Sequence, residues 1–214
     1  MPRTLILDYN LGNLFSVKQA CAHVGIPVEI GNSKEQIESA SAIILPGVGA
    51  FPEAMKNLTE LGIVNILTNE VNNGKPLFGV CLGMQLLFSS SEEFGFTKGL
   101  GLIDGTVEKF SIGNNDKKLT VPQINWNRIE GESFDNTPLD SVSQLDYMYF
   151  VHSYYVNASD SADVLTTTNY GGLNYCSTVN KNNIFATQYH PEKSGEKGLE
   201  IYKKWAEINN LIYS

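Results

Sequence analysis

Little in this sequence points toward nucleic acid, membranes or export. Fifteen Lys and Arg stand against 23 Asp and Glu, for a net charge of -8. With no cluster of basic residues, the chain lacks an electrostatic footprint for a polyanion, and its acidity reads as plain solubility. No apolar run approaches the ~20 residues that cross a bilayer, and Met1-Pro2-Arg3-Thr4 leads into a short strand-like segment instead of a signal peptide. Only three cysteines occur, Cys21, Cys81 and Cys176, without metal-ligand or disulfide spacing. An odd thiol count without an export signal fits a reducing compartment, and the cytoplasm is the expected location. What is present is an ordinary globular composition, 42% hydrophobic over 214 residues. That suits a single domain spanning 1–214, which can bury a core without metals or staples.

The first half alternates strands with helices. Thr4 to Leu7, Val28 to Ile30, Ala42 to Leu45 and Pro76 to Val80 are short apolar runs of buried-strand type. Asn13 is placed to cap a helix whose apolar face is Leu14, Val17, Cys21 and Val24, closed by Gly25. Ser33 and Gln36 have capping-box spacing, and Pro52 suits a first helical position. Further helices are predicted around Ile63 to Val71 and from Leu82 to Phe88. Such alternation argues for a parallel sheet covered on both faces.

From Thr106 to Gln188 the pattern changes to short β-branched and aromatic segments split by Gly, Asn and Asp. Strands are predicted at Thr106 to Phe110, Leu119 to Val121, Tyr147 to Val151, Val164 to Thr168, Tyr175 to Val179 and Ile184 to Thr187. Hairpins are the natural links, so part of this sheet is expected to be antiparallel. A last helix, about Gly195 to Asn209, presents Leu199, Tyr202, Trp205 and Ile208 to the core.

Three segments carry chemistry. Gly79-Val80-Cys81-Leu82-Gly83 lies between a strand and a helix and has the form of a nucleophile elbow with Cys in place of Ser. A free thiol has a pKa of ~8.5, and a helix start favours its thiolate. A buried packing cysteine is the plain alternative, and it is the preferred reading for Cys21 and Cys176. His190-Pro191-Glu192 follows the last strand and supplies a base and a carboxylate to orient it, provided that strand end lies beside the elbow. A surface His before a turn proline is the alternative, preferred for His23 and left open for His152. Pro46-Gly47-Val48-Gly49-Ala50-Phe51 follows a third strand and is able to offer N–H groups to an oxyanion. It contains no Lys and fits neither a P-loop nor a dinucleotide fingerprint, so no cofactor is expected, and no metal either.

Together these segments resemble the class I, triad-type glutamine amidotransferases, and more closely the glutaminase subunits of imidazole glycerol phosphate synthases. The resemblance also covers Asp8 to Leu14, Gly79 to Leu87, Tyr149 to Tyr154 and Ala186 to Ser194. It implies a flavodoxin-like fold, with a mostly parallel central sheet, helices on both faces and an antiparallel extension. It implies Cys81 as nucleophile, His190 as proton shuttle and Glu192 as its orienting partner. Val48, Gly49 and Leu82 would form the oxyanion hole, and Gly47, Gly49, Gln85, His152, Ser153 and Tyr154 the glutamine pocket. The implied partner is a (β/α)8-barrel synthase that takes the ammonia in histidine biosynthesis. Asn13, Trp126, Tyr149 and Lys193 would lie on the shared face. The Val48 peptide is a candidate switch, presenting a carbonyl in one orientation and an N–H in the other.

One segment departs from that family. Pro122-Gln123-Ile124-Asn125-Trp126-Asn127 stands where Pro-His-Met-Gly-Trp-Asn is usual. The departure leaves open a paralogous glutaminase feeding a different synthase, such as a sugar amidotransferase; a separate alternative of another class is a catalytically silent regulatory subunit. Retention of Cys81, His190 and Glu192 argues against the second.

Overall fold

The computed structural model describes residues 3–110 and 120–212. Strand β1 is Thr4–Leu7, buried at every residue. Helix α1, Leu14–His23, starts at Asn13, whose carboxamide oxygen accepts the Ser16 N–H at 3.2 Å, and is followed by Gly25 at φ +79°. Strand β2 is Val28–Gly31, and helix α2, Lys34–Ser39, opens with the expected Ser33–Gln36 capping box, a contribution of about 1 kcal/mol. Strand β3 (Ala42–Gly47), helices α3 (Phe51–Glu60) and α4 (Val64–Asn72), strand β4 (Leu77–Cys81) and the short helix α5 (Leu82–Leu86) complete this half. Pro52 takes the second position of α3, because Phe51 is already helical.

The second half comprises β5 (Phe88–Ser91), β6 (Thr97–Lys98), β7 (Ile103–Lys109), β8 (Gln123–Arg128), β9 (Tyr147–His152), β10 (Tyr154–Ala158), β11 (Val164–Tyr170), β12 (Leu173–Lys181) and β13 (Ile184–Thr187), then helix α6 (Gly195–Ile208). One sheet runs through both halves in the order β2-β1-β3-β4-β13-β12-β10-β7-β5-β6, with β11 paired to β12. Strands β2, β1, β3, β4 and β13 are parallel neighbours; β13–β12, β12–β10 and β10–β7 are antiparallel. This is the expected parallel centre with an antiparallel extension. Strands β8 and β9 form a separate antiparallel pair.

Alternate residues of the central strands enter two cores, as the period of two requires. Leu5, Leu7, Ile43 and Leu45 face one, with Ile37, Phe51, Leu58 and Leu67 from α2, α3 and α4. Ile6, Ile44, Phe78 and Val80 face the other, with Val17 and Cys21 of α1 and Ile201, Tyr202 and Trp205 of α6. Phe78, just before the elbow, packs its ring 5.0 Å from Phe185, 5.0 Å from Tyr202 and 5.4 Å from Trp205. Truncating such a fully enclosed aromatic costs about 3–5 kcal/mol.

Three sequence expectations are corrected. The helix predicted to reach Phe88 stops at Leu86, and Phe88 instead begins β5, which pairs with β7. The Leu86 and Leu87 carbonyls accept from Leu100, Leu102 and Ile103 N–H groups, so a tertiary partner replaces the next helical turn. Ile208 is exposed, because α6 buries Gly198, Ile201, Tyr202 and Trp205. A Cβ at Gly198 would overlap the Pro191 carbonyl, so the helix is drawn in on that stripe. The strand expected at Leu119 to Val121 lies partly outside the described residues, and within them the strand is Gln123–Arg128.

Candidate active site

The elbow is built by the parallel pairing of β3 and β4, which sets Gly47 opposite Cys81. Cys81 turns the chain into α5 at φ +55°, ψ −110°, a conformation that costs a non-glycine residue about 1–3 kcal/mol. The neighbours must therefore be small. A Cβ on Gly83 would overlap the Leu45 carbonyl oxygen, and one on Gly79 would lie 3.0 Å from the Ala186 Cβ. The first N–H groups of α5, beginning with Leu82, have no intrahelical acceptor. The helix is only five residues long, so its dipole is a weaker aid to the sulfur than the sequence suggested.

Strand β13 runs beside β4, with Thr187 in register with Val80. This carries the following residues to the elbow. The His190 N–H donates to the Tyr149 carbonyl at 2.9 Å, and the Ser194 hydroxyl donates to the His190 carbonyl at 2.7 Å while accepting from the Tyr149 N–H at 3.0 Å. His190 Nδ1 meets Glu192 Oε1 at 2.8 Å with both side chains buried. That bond presents Nε2 to the reaction side, where it has no hydrogen-bond partner among the described residues. Burial works against a charge on His190, but the Cys81 sulfur and then the Glu192 carboxylate outweigh it and raise the imidazole to about 10. The arrangement favours an imidazolium.

Cys81 and His190 line one cavity of about 290 Å³, with Val48, Gly49, Leu82 and Gln85. His152, Ser153 and Tyr154 also line it. Gln85 is buried, and its Nε2 donates to the Tyr154 carbonyl at 2.8 Å and to Gln188 Oε1 at 3.0 Å. His152 turns both nitrogens inward, Nδ1 to the Tyr154 carbonyl at 2.8 Å and Nε2 to the Tyr175 hydroxyl at 3.2 Å. It shapes the wall without offering a ring nitrogen to a ligand. Gly47 is not among the lining residues. A Cβ there would collide with the Tyr9 hydroxyl, so it serves the close approach of β3 to the elbow. Glu93 was not anticipated. It lines the cavity, and its Oε2 accepts the Phe51 N–H at 2.8 Å. Burial raises its pKa, and the Phe51 N–H partly offsets this. The adjacent Glu92-Glu93 pair looks like a solvated turn in sequence, so no local signal marks it. Gln188 was missed as well; its Nε2 is 3.7 Å from the Cys81 sulfur.

The model of the family described as glutamine amidotransferase class-I matches residues 5–207. The chain belongs to this family. Among relatives of these amidotransferases, the imidazole glycerol phosphate synthase subunit HisH of Chlorobium luteolum is 42% identical over 94% of this chain and 98% of its own. The subunit of the same name from Listeria monocytogenes is 43% identical over 95% of each. Two solved structures share the fold at 18% and 20% identity: PurLQS from Thermotoga maritima, with a TM-score of 0.74, and a glutamine amidotransferase, with 0.72. Each covers 96% of this class I amidotransferase chain and 98% of its own.

Trp126 of β8 lies in register with Tyr149, their rings edge-on at 5.8 Å. The Lys193 ammonium sits 6.0 Å from the Tyr149 ring centre. Ile124, Trp126 and Tyr147 are exposed, whereas Gln123 is buried and joined to the Tyr175 hydroxyl at 3.0 Å. Asn13 is engaged in capping α1. No helix among the described residues is long and apolar enough to cross a membrane.

Proposed function

We propose that this chain is the glutaminase subunit of an imidazole glycerol phosphate synthase, hydrolysing glutamine and passing the ammonia to a (β/α)8-barrel partner. The observation that carries the reading is the shared cavity of Cys81 and His190, with Glu192 behind the imidazole at 2.8 Å. The Cys81 sulfur attacks the side-chain carbonyl carbon of glutamine, and the oxygen takes up negative charge facing the N–H groups of Leu82 and the Val48–Gly49 loop. His190 protonates the departing nitrogen, which leaves as ammonia. A water then gives its proton to His190, attacks the thioester and releases glutamate. Glu192 fixes the tautomer and stabilises the imidazolium. Glu93, the acidic group of the cavity wall, is the partner for the α-ammonium of glutamine, with Gln85, Ser153 and Tyr154 beside it.

The partner assignment is supported by the names of the relatives and by the exposed Ile124, Trp126 and Tyr147 of β8 and β9. Tyr149 belongs to this face, and its backbone also holds His190, so a partner seated there bears on the catalytic base. Ile124 and Asn125 differ from the usual family segment and lie exposed on it. That observation favours, as a second reading, a glutaminase serving a different barrel synthase.

The test is release of glutamate from glutamine by the purified chain, alone and beside the barrel synthase recovered with it from its own cell. Glutaminase activity that rises with the synthase and its phosphorylated ribosyl ligand supports the reading. Peptide hydrolysis without response to glutamine overturns it. Glu93→Gln should raise KM for glutamine at least about 10-fold, the effect of a lost hydrogen bond to a charged group, with kcat changed less. In the native chain KM should rise on acidification, as Glu93 takes up its proton.

A further inference from the structure

Gln188 is fully buried directly before the Tyr189-His190 step, and its carboxamide bridges two residues of the site. Its Oε1 accepts from Gln85 Nε2 at 3.0 Å, and its Nε2 lies 3.7 Å from the Cys81 sulfur. The direction of this chain of amides is fixed by chemistry. The Tyr154 carbonyl only accepts hydrogen bonds, and it takes one from Gln85 at 2.8 Å and one from His152 Nδ1 at 2.8 Å. The NH₂ of Gln85 must therefore face Tyr154, and the same NH₂ meets Gln188, which must answer with its oxygen. The Gln188 NH₂ is left facing the sulfur. Reversing the Gln188 amide would set NH₂ against NH₂ at Gln85 and an oxygen lone pair against the sulfur.

We propose that Gln188 is a further catalytic residue, whose carboxamide N–H hydrogen-bonds the Cys81 sulfur and stabilises the thiolate that attacks glutamine. The proposal rests on Cys81 being the nucleophile. The sulfur needs this second donor because its other close polar neighbour, the Val151 carbonyl at 3.9 Å, can only accept and so opposes the anion. An amide cannot remove a proton from the thiol, so it does not compete with His190. It holds the sulfur in one position and favours the charge there.

The titratable groups around this sulfur are His190 backed by Glu192, the Tyr9 phenol donating to the Pro46 carbonyl at 2.7 Å, His152, and Glu93 on the cavity wall. Gln188→Met keeps the length and approximate volume of the side chain, leaves all of these in place and removes the donor to sulfur together with the oxygen that accepts from Gln85, whose Nε2 keeps its bond to the Tyr154 carbonyl. The experiment is the pH profile of iodoacetamide alkylation of the folded chain, with the labelled cysteine located by peptide mass spectrometry. Gln188→Met should move the alkylation midpoint up by about one unit, the low end for a lost hydrogen bond to a charged group. An unchanged midpoint at Cys81 overturns the proposal and reduces Gln188 to packing. If Gln188→Met does not fold, Gln85→Met decides: freed of its anchor, the Gln188 amide should give a smaller upward shift, and no shift overturns the proposal. Label located away from Cys81 in the unaltered chain would instead fail the underlying nucleophile assignment, a separate outcome.

Discussion

Two buried histidines, His152 and His190, behave in opposite ways. His152 closes β9 among aromatic rings, 5.2 Å from Phe110, 5.4 Å from Tyr175 and 5.8 Å from Phe150. Burial pushes its imidazole down to about 4, the Tyr154 carbonyl resists, and the nearby His190 adds to the fall. His190 is similarly enclosed but is raised to about 10 by the Cys81 sulfur and Glu192. Burial removes charge from an imidazole unless an anion is built beside it. Of the two histidines the cavity touches, one is held neutral and the other is held charged.

The most severe way to break this contrast is Cys81→Ala. Glutamine-dependent turnover should fall at least about 10⁴-fold, as expected for loss of a nucleophile, while the partner synthase supplied with ammonia keeps its synthesis. The His190 pKa, followed by NMR, should drop with it. Loss of both activities would instead mean failed docking. Glu192→Gln should lower kcat by about 10²–10⁴-fold, since the imidazole loses its orienting charge, and should also lower the His190 pKa.

The histidines should also show opposite pH windows in stability. Unfolded, each titrates near ~6.5. His152 takes its proton more readily in the unfolded chain, so stability falls as pH drops from about 6.5 to about 4, by about 3 kcal/mol at most. His190 contributes below about 6.5 and loses that contribution as pH rises through about 10. Urea unfolding of His152→Phe should lose the acid-side slope and keep the alkaline one. Smallest is Trp126→Ala, which should weaken the synthase complex by about 1–2 kcal/mol, measured by titration calorimetry.

The parallel centre of the sheet was legible because Leu5 to Leu7, Ile43 to Leu45 and Leu77 to Val80 are apolar on both faces, the second closed by Pro46-Gly47. Cys81 and the His190–Glu192 pair were legible for a related reason: each follows such a strand. Strand β5 was not, since Leu86, Leu87 and Phe88 continue an apolar run whose helix is ended by distant backbone donors. Strand β8 alternates polar and apolar residues but turns Ile124 and Trp126 outward and buries Gln123, the reverse of a core strand, and β10 mixes polar and aromatic residues. Glu93 and Gln188 act through approaches across 42 and 107 residues, to Phe51 and Cys81, which no local pattern encodes.

The overlap between any side chain at position 83 and the Leu45 carbonyl has a consequence for variation. Backbone oxygen in the middle of a paired strand has nowhere to retreat. Saturation libraries at this site should return a single letter among active clones, while Val80 and Leu82 nearby admit other apolar types. The spelling of the turn is thus dictated by the strand next door, and a designer moving this nucleophile to another scaffold would have to transplant both strands together.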